Sequence, residues 1–264
     1  MFTKAKVLVA SLALLGGLSV MSTVSFAKTK IPQEYSLAYP KLVVGSYPPV
    51  DPPRTGTPAG GTLDPSDPCH SDTIHLAALA PPDNSFSDYP DLEKYPLLTI
   101  SERPTFLFYV PYRQDQVRHG EFSIHEWPNE EASRPYSANV TFPQTPGIVS
   151  VSVPSNSGYR LVDGKDYRWR LKLYCGPGNT ASDYVIVRGT MRKIVKEAEA
   201  EALVSEFAPE IWYDSVARLA AQLQSSNSSS LASQWSSLMQ LVEFGKADSS
   251  DFTPDLIQGA ATVR

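Results

Sequence analysis

The side chains with the chemistry for a reaction or a ligand are few: four histidines, two cysteines and some close-set charges. His70, His75, His119 and His125 are the only imidazoles, and general-base or metal-ligand duty falls to that side chain first. None of them sits in a recognised catalytic motif. His70 and His75 lie near Cys69, but their spacing matches no zinc-ligand pattern. Glu130 and Glu131 follow Pro128-Asn129 in a predicted loop. There a solvated carboxylate pair is the ordinary outcome, and an acid and base tuned apart in a cleft is not. The Gly-rich piece at 56–61 lacks the lysine of a phosphate loop and neither follows a strand nor opens a helix, which argues against nucleotide binding. No cofactor and no metal are expected, and the chain reads as a non-enzyme.

A different pattern stands out among the cations. Arg168, Arg170 and Lys172 recur at every second position, and Arg188 falls on the next predicted strand. On a chain of net charge -5, this stripe is the candidate patch for an anionic glycan or a lipid headgroup. The competing reading is a sheet face that pairs with local acids, or one packed under helices through its aliphatic stems. Trp127 invites a sugar-stacking role, though an aromatic at a strand end equally suits core or sheet edge. The acidic balance argues against a nucleic-acid partner.

These residues need strands to hold them. Along DYRWRLKLYC at 166–175, Tyr167, Trp169, Leu171, Leu173 and Cys175 point one way, and Arg168, Arg170, Lys172 and Tyr174 the other. That alternation requires one face on a core and one in water. Burying the four large inward residues contributes roughly 1.5 to 3 kcal/mol each. Further apolar runs at 74–80, 105–110, 121–127, 136–142, 147–153 and 183–191 bring the expected total to about seven strands. The predicted fold is mainly β with an α appendage: an immunoglobulin/fibronectin-III-like antiparallel β-sandwich over 69–193, followed by a small C-terminal helical bundle over 194–264. Leu161, Gly164 and Tyr167 precede the Trp169-x-Leu171 alternation as Leu-x-x-Gly-x-x-Tyr. This order resembles the tyrosine corner of such sandwiches, in which the hydroxyl bonds back to upstream backbone; Gly before an aromatic strand also occurs in hairpins.

Three apolar stripes follow at helical spacing. Ile194, Val195, Ala198, Ala202, Leu203 and Phe207 form the first, with a break at Pro209; Trp212, Val216, Leu219, Ala220 and Leu223 form the second. Leu231, Trp235, Leu238 and Leu241 form the third, closing at Gly245, and Thr253-Pro254 is placed to cap one last short helix before a frayed end. Isolated helices of this length are marginal in water, so the third is expected to pack on the first two. Trp212, Tyr213 and Leu219 are candidate anchors for a protein partner in the groove left beside the sandwich, or else simply core.

At the other end, Lys4 and Lys6, the apolar run at 7–20 and Ser25-Phe26-Ala27 have the form of a signal peptide over 1–27. The run is shorter than the ~20 residues of a spanning helix, so no transmembrane anchor is expected after cleavage. A Pro- and Gly-rich extended leader covers 28–68. The expected destination is the periplasm or the exterior, where Cys69 and Cys175 can pair. In the assumed sandwich the first strand starts at the pole where the sixth ends, which makes the two cysteines neighbours. The leading functional expectation is a secreted non-enzymatic protein-interaction module with an unknown envelope protein as partner. The alternative is a glycan- or anion-binding β-sandwich, with an undetected hydrolase third.

Several segments resemble a family catalogued as domain-of-unknown-function family 928: RTGTPAGGT at 54–62, the lone Cys69, RPTFLFYVPY at 103–112, TPGIVSVSVP at 145–154, GKDYRWRLKLYC at 164–175 and EIWYDSVARLA at 210–220. The resemblance implies a secreted cyanobacterial protein with a sandwich-plus-helices layout and carries no activity over. The chain departs from the family pattern at 59–62, where an Arg is usual, and at Pro209, where Gly often stands.

Overall fold

The computed structural model describes residues 54–58, 69, 75–81, 97–127, 135–175, 184–226, 228–242 and 249–264. The expected signal peptide, most of the leader, His70, Glu130-Glu131 and Gly245 lie outside the described residues. In chain order the strands are β1 (Arg54–Pro58), β2 (Ala77–Ala78), β3 (Leu97–Thr99), β4 (Thr105–Val110), β5 (Val117–Trp127), β6 (Tyr136–Thr141), β7 (Gly147–Ser152), β8 (Asp166–Cys175) and β9 (Tyr184–Lys193). Then come α1 (Ala198–Ser205), α2 (Trp212–Ser225), α3 (Ser229–Met239), β10 (Ile257–Ala260) and β11 (Thr262–Val263).

Among the described residues the strands form two sheets. The larger runs β1-β9-β8-β5-β6-β11, with β3 added in parallel to β9; the smaller runs β10-β7-β4-β2. β8 occupies the centre of the large sheet, between β5 and β9, as its alternation requires. Trp169, Leu171 and Leu173 are wholly buried, and Trp169 meets Phe106 and Phe108 of β4 at 5.6 Å between ring centroids. The near-continuous apolar run of β4 has burial on both of its faces to match. Phe106 and Phe108 pack on the large sheet, and on the other side Tyr109 meets Phe252 edge-on at 4.9 Å.

Later parts of the chain cover the sandwich and extend its sheet edges. α2 lies against β3, β4 and β10, and its Tyr213 ring reaches Phe106 at 5.1 Å. The Trp212 indole donates to the Leu79 carbonyl at 2.7 Å. α3 packs on α2, as does α1, and the Trp235 indole donates to the Phe252 carbonyl at 2.7 Å. At the sheet edges, β10 pairs in parallel with β7, and β11 pairs antiparallel with β6. The last residues thus cross from the small sheet to the large one, and the expected frayed end is a two-sheet strap. Thr253-Pro254 does open a single 3-10 turn, Pro254–Leu256, before it.

Two other expectations change, and the break expected at Pro209 is present. The Pro-rich leader contributes an edge strand, β1, a position that tolerates proline because one side of an edge needs no ladder bonds. The first helix starts only at Ala198, because the Ile194 N–H donates to the Thr99 carbonyl and prolongs the β3–β9 ladder. It also stops before Pro209: Phe207 takes φ 57, and the Ala208 N–H closes onto the Leu203 carbonyl at 2.9 Å. That is the wrapped C-terminus usually given to glycine.

Candidate functional site

The outward face of the large sheet gathers the cationic stripe. Residues directly opposite one another in an antiparallel pair share a face, so the register sorts this one into rows. Arg192, Asp166 and Trp127 make the first row, and Thr190, Arg168 and His125 the second. Arg188, Arg170, Ser123 and Ser137 occupy the third. Ile186, Lys172, Glu121 and Asn139 make the fourth, and Tyr184, Tyr174 and His119 the fifth.

The first two rows are closed. Asp166 accepts two bonds from the Arg192 guanidinium, both at 2.7 Å. Arg168 is only 9% exposed, with its guanidinium 3.5 Å from the centroid of the Trp127 ring. A planar guanidinium over an indole is a favourable cation–π contact. It withdraws Arg168 from the accessible stripe and gives Trp127 an internal partner.

The last three rows are half-open. Arg170, Lys172, Arg188, Tyr174, Tyr184 and His119 are all partly exposed. Two facing register positions carry arginine, on β9 and β8. Two like charges directly opposite each other concentrate positive charge on this part of the face. The aromatic row is continuous: His119 stacks on Tyr174 at 4.4 Å, and Tyr174 meets Tyr184 at 5.8 Å. Lys172 lies over Tyr184 at 5.3 Å, and Arg118 over Tyr174 at 5.9 Å. Burial and the acceptor Glu121, to which the Tyr174 hydroxyl donates at 3.1 Å, both raise the Tyr174 pKa. The sequence placed Tyr174 outward. It gave no sign of the row, because the register that brings Tyr184 and His119 beside it is set by tertiary pairing.

The remaining predicted residues are structural in this arrangement. The Tyr167 hydroxyl accepts from the Val162 N–H at 2.8 Å, tying the side chain to backbone five residues upstream. Leu161 is buried, and Gly164 turns the connection at φ 76, where a Cβ is disfavoured. The same connection is latched to β9 by the Gly164 N–H on the Lys193 carbonyl and by buried Lys193 on Asp163. Cys69 and Cys175 are joined in a disulfide, with 5.6 Å between Cα atoms, at the end of β8.

Trp212, Tyr213 and Leu219 are buried, at no more than 3% exposure each. As placed, they are not anchors for an outside partner: the sandwich itself takes them up. Beside them sit two carboxylates the sequence did not single out. Asp214 accepts from the Ile100 N–H at 2.9 Å, fastening α2 to the end of β3. Burial raises its pKa, against the opposing bonds from Thr99 and Ile100. Glu210 Oε2 is buried with no hydrogen-bond partner among the described residues, and desolvation raises its pKa as well.

No curated protein and no solved structure matches the chain. Residues 58–252 match the model of a family described as Domain of Unknown Function (DUF928). The matched span holds β2 through β9, the open rows of the large sheet and all three helices, and it ends before the C-terminal strap. The chain therefore belongs to the DUF928 family.

Proposed function

We propose that this protein is an extracytoplasmic, non-enzymatic binding module, and that it engages an anionic partner through the outer face of its large sheet. The observation that carries the reading is the pair of opposed arginines, Arg188 and Arg170, with Lys172 in the next row, on a chain of net charge -5. Steering by a local cationic field is effective even when the whole molecule is acidic. The strand order supports an immunoglobulin/fibronectin-III-like sandwich, with β9-β8-β5-β6 facing β7-β4-β2. The Tyr167 bond to Val162 has the form of a tyrosine corner. Sandwiches of this kind host many functions, so the face and not the fold supports binding.

A non-catalytic role is supported by how the reactive side chains are used. The cysteines are paired, His119 is stacked on Tyr174, and Asp214 is committed to holding α2. The disulfide favours an oxidising compartment. No helix of the described residues is long and apolar enough to cross a membrane. An envelope protein remains a partner class for this face, in place of the buried Trp212 groove.

The test is chromatography of the mature protein on phosphocellulose at neutral pH. An acidic protein ordinarily flows through. Retention that is released by salt and lost in the Arg170→Glu/Arg188→Glu double variant is the expected result. Flow-through of the wild type at low salt would sink the reading.

A further inference from the structure

We infer that the anion is a linear acidic polysaccharide, bound along the open rows so that its carboxylates meet Arg188 and Arg170 and a sugar ring stacks at the Tyr184–Tyr174 end. This rests on the reading of that face as the binding surface and names its ligand. Successive rows are two residues apart, or about 7 Å, so the aromatic row lies about 14 Å from the arginine row. One sugar ring cannot touch both, and a chain of several can.

The composition of the face selects among anions. Ile186, Tyr184 and Tyr174 supply flat or apolar contact between and beyond the cations. A pyranose ring has an apolar C–H face for such contact, whereas polyphosphate offers charge alone. Lys172 lies over the Tyr184 ring, which places a cation beside the stacking position as well. Asn139, Ser137 and Thr141 line the neighbouring strand β6 and are exposed, a polar border suited to hydroxyl groups. A lipid surface fits poorly. The exposed large apolar residues among the described ones are Val162 and Val195, and neither is on these strands.

The experiment is calorimetric titration of the full mature chain with oligogalacturonates of two and of eight units, with a neutral glucan octamer, with polyphosphate and with polyglutamate. The inference expects the acidic octamer to bind at least tenfold more tightly than the dimer, and the neutral octamer not to bind. Arg170→Gln/Arg188→Gln and Tyr184→Ser should each weaken the octamer at least tenfold while leaving the melting temperature within a few degrees. If Tyr184→Ser fails to fold, the chemical shifts of the Tyr184 ring in the wild type decide the same point by moving, or not, on titration. Equal affinity for polyphosphate or polyglutamate, with Tyr184 silent, overturns the polysaccharide and leaves the anion-binding face standing. Failure of every polyanion to bind overturns both.

Discussion

The indole N–H of Trp169 donates to the hydroxyl of Tyr213 at 2.7 Å, and that hydroxyl donates onward to the Thr190 carbonyl at 3.1 Å. One buried oxygen therefore joins the central strand β8, its neighbour β9 and the helix that closes the sandwich. Burial pushes the Tyr213 pKa up, which keeps the hydroxyl protonated and able to donate. Tyr213→Phe keeps the ring and deletes the link, leaving an unsatisfied donor and acceptor. The expected loss is about 1–3 kcal/mol, read as a shift in denaturant midpoint at unchanged slope. An unshifted midpoint would show that the helix is held by apolar contact alone.

Trp169 depends equally on what is missing beside it. Gly189 stands opposite in register, and a Cβ there would lie 2.4 Å from Cζ2 of the indole. Gly189→Ala must push the ring out of place, with a destabilisation of about 1–3 kcal/mol. Near-ultraviolet circular dichroism should change with it, since the tryptophan environment shifts before the fold is lost.

The buried carboxylate of Glu210 sets a pH dependence. Its folded-state pKa lies above the ordinary value of 4.5, so the folded state binds the proton more tightly than the unfolded chain does. The stability this contributes is full below pH 4.5 and is lost as pH rises through the folded value. Glu210→Gln should match the wild type near pH 4 and exceed it at pH 7. Asp214, raised in the same direction, is present in both proteins and drops out of the difference. Denaturation of both at the two pH values gives the answer, and a constant gap would rule the effect out.

The disulfide closes a loop with a sequence separation of 106. A loop of that size predicts about 4.7 kcal/mol on the chain-entropy view, an upper figure in practice. Reductant, or Cys69→Ser with Cys175→Ser, should lower the melting temperature markedly. Equal melting in both redox states would show that the reduced chain already holds Cys69 near β8.

Where the sequence was legible, the side chains themselves stated the environment. β8 and β4 declare their faces through alternation and through continuous apolarity, and the α2 stripe from Trp212 to Leu223 declares a buried side. The short strands β3, β10 and β11 were not legible, because they are too brief for a period to emerge and owe their pairing to distant partners; β2 was read only as a longer apolar run at 74–80. β3 and β10 pair in parallel with strands far along the chain, and no local turn announces that. The same limit explains the site. The stripe Arg168, Arg170 and Lys172 could be read from spacing, while the stacking of Arg168 on Trp127 and the alignment of Tyr184 with Tyr174 follow from register. The partner-anchor expectation for Trp212, Tyr213 and Leu219 failed for a simpler reason. An amphipathic stripe says that a face must be covered and does not say by what.

The strap formed by β10 and β11 gives the molecule an order of assembly. Until residues 257–263 have been synthesised, β6 and β7 present open edges, and open edges invite pairing with other chains. Every strand from β1 to β9 leaves the ribosome before its cover exists. Such edges are a hazard that grows with concentration, and a chain truncated before residue 257 should aggregate through β6 and β7.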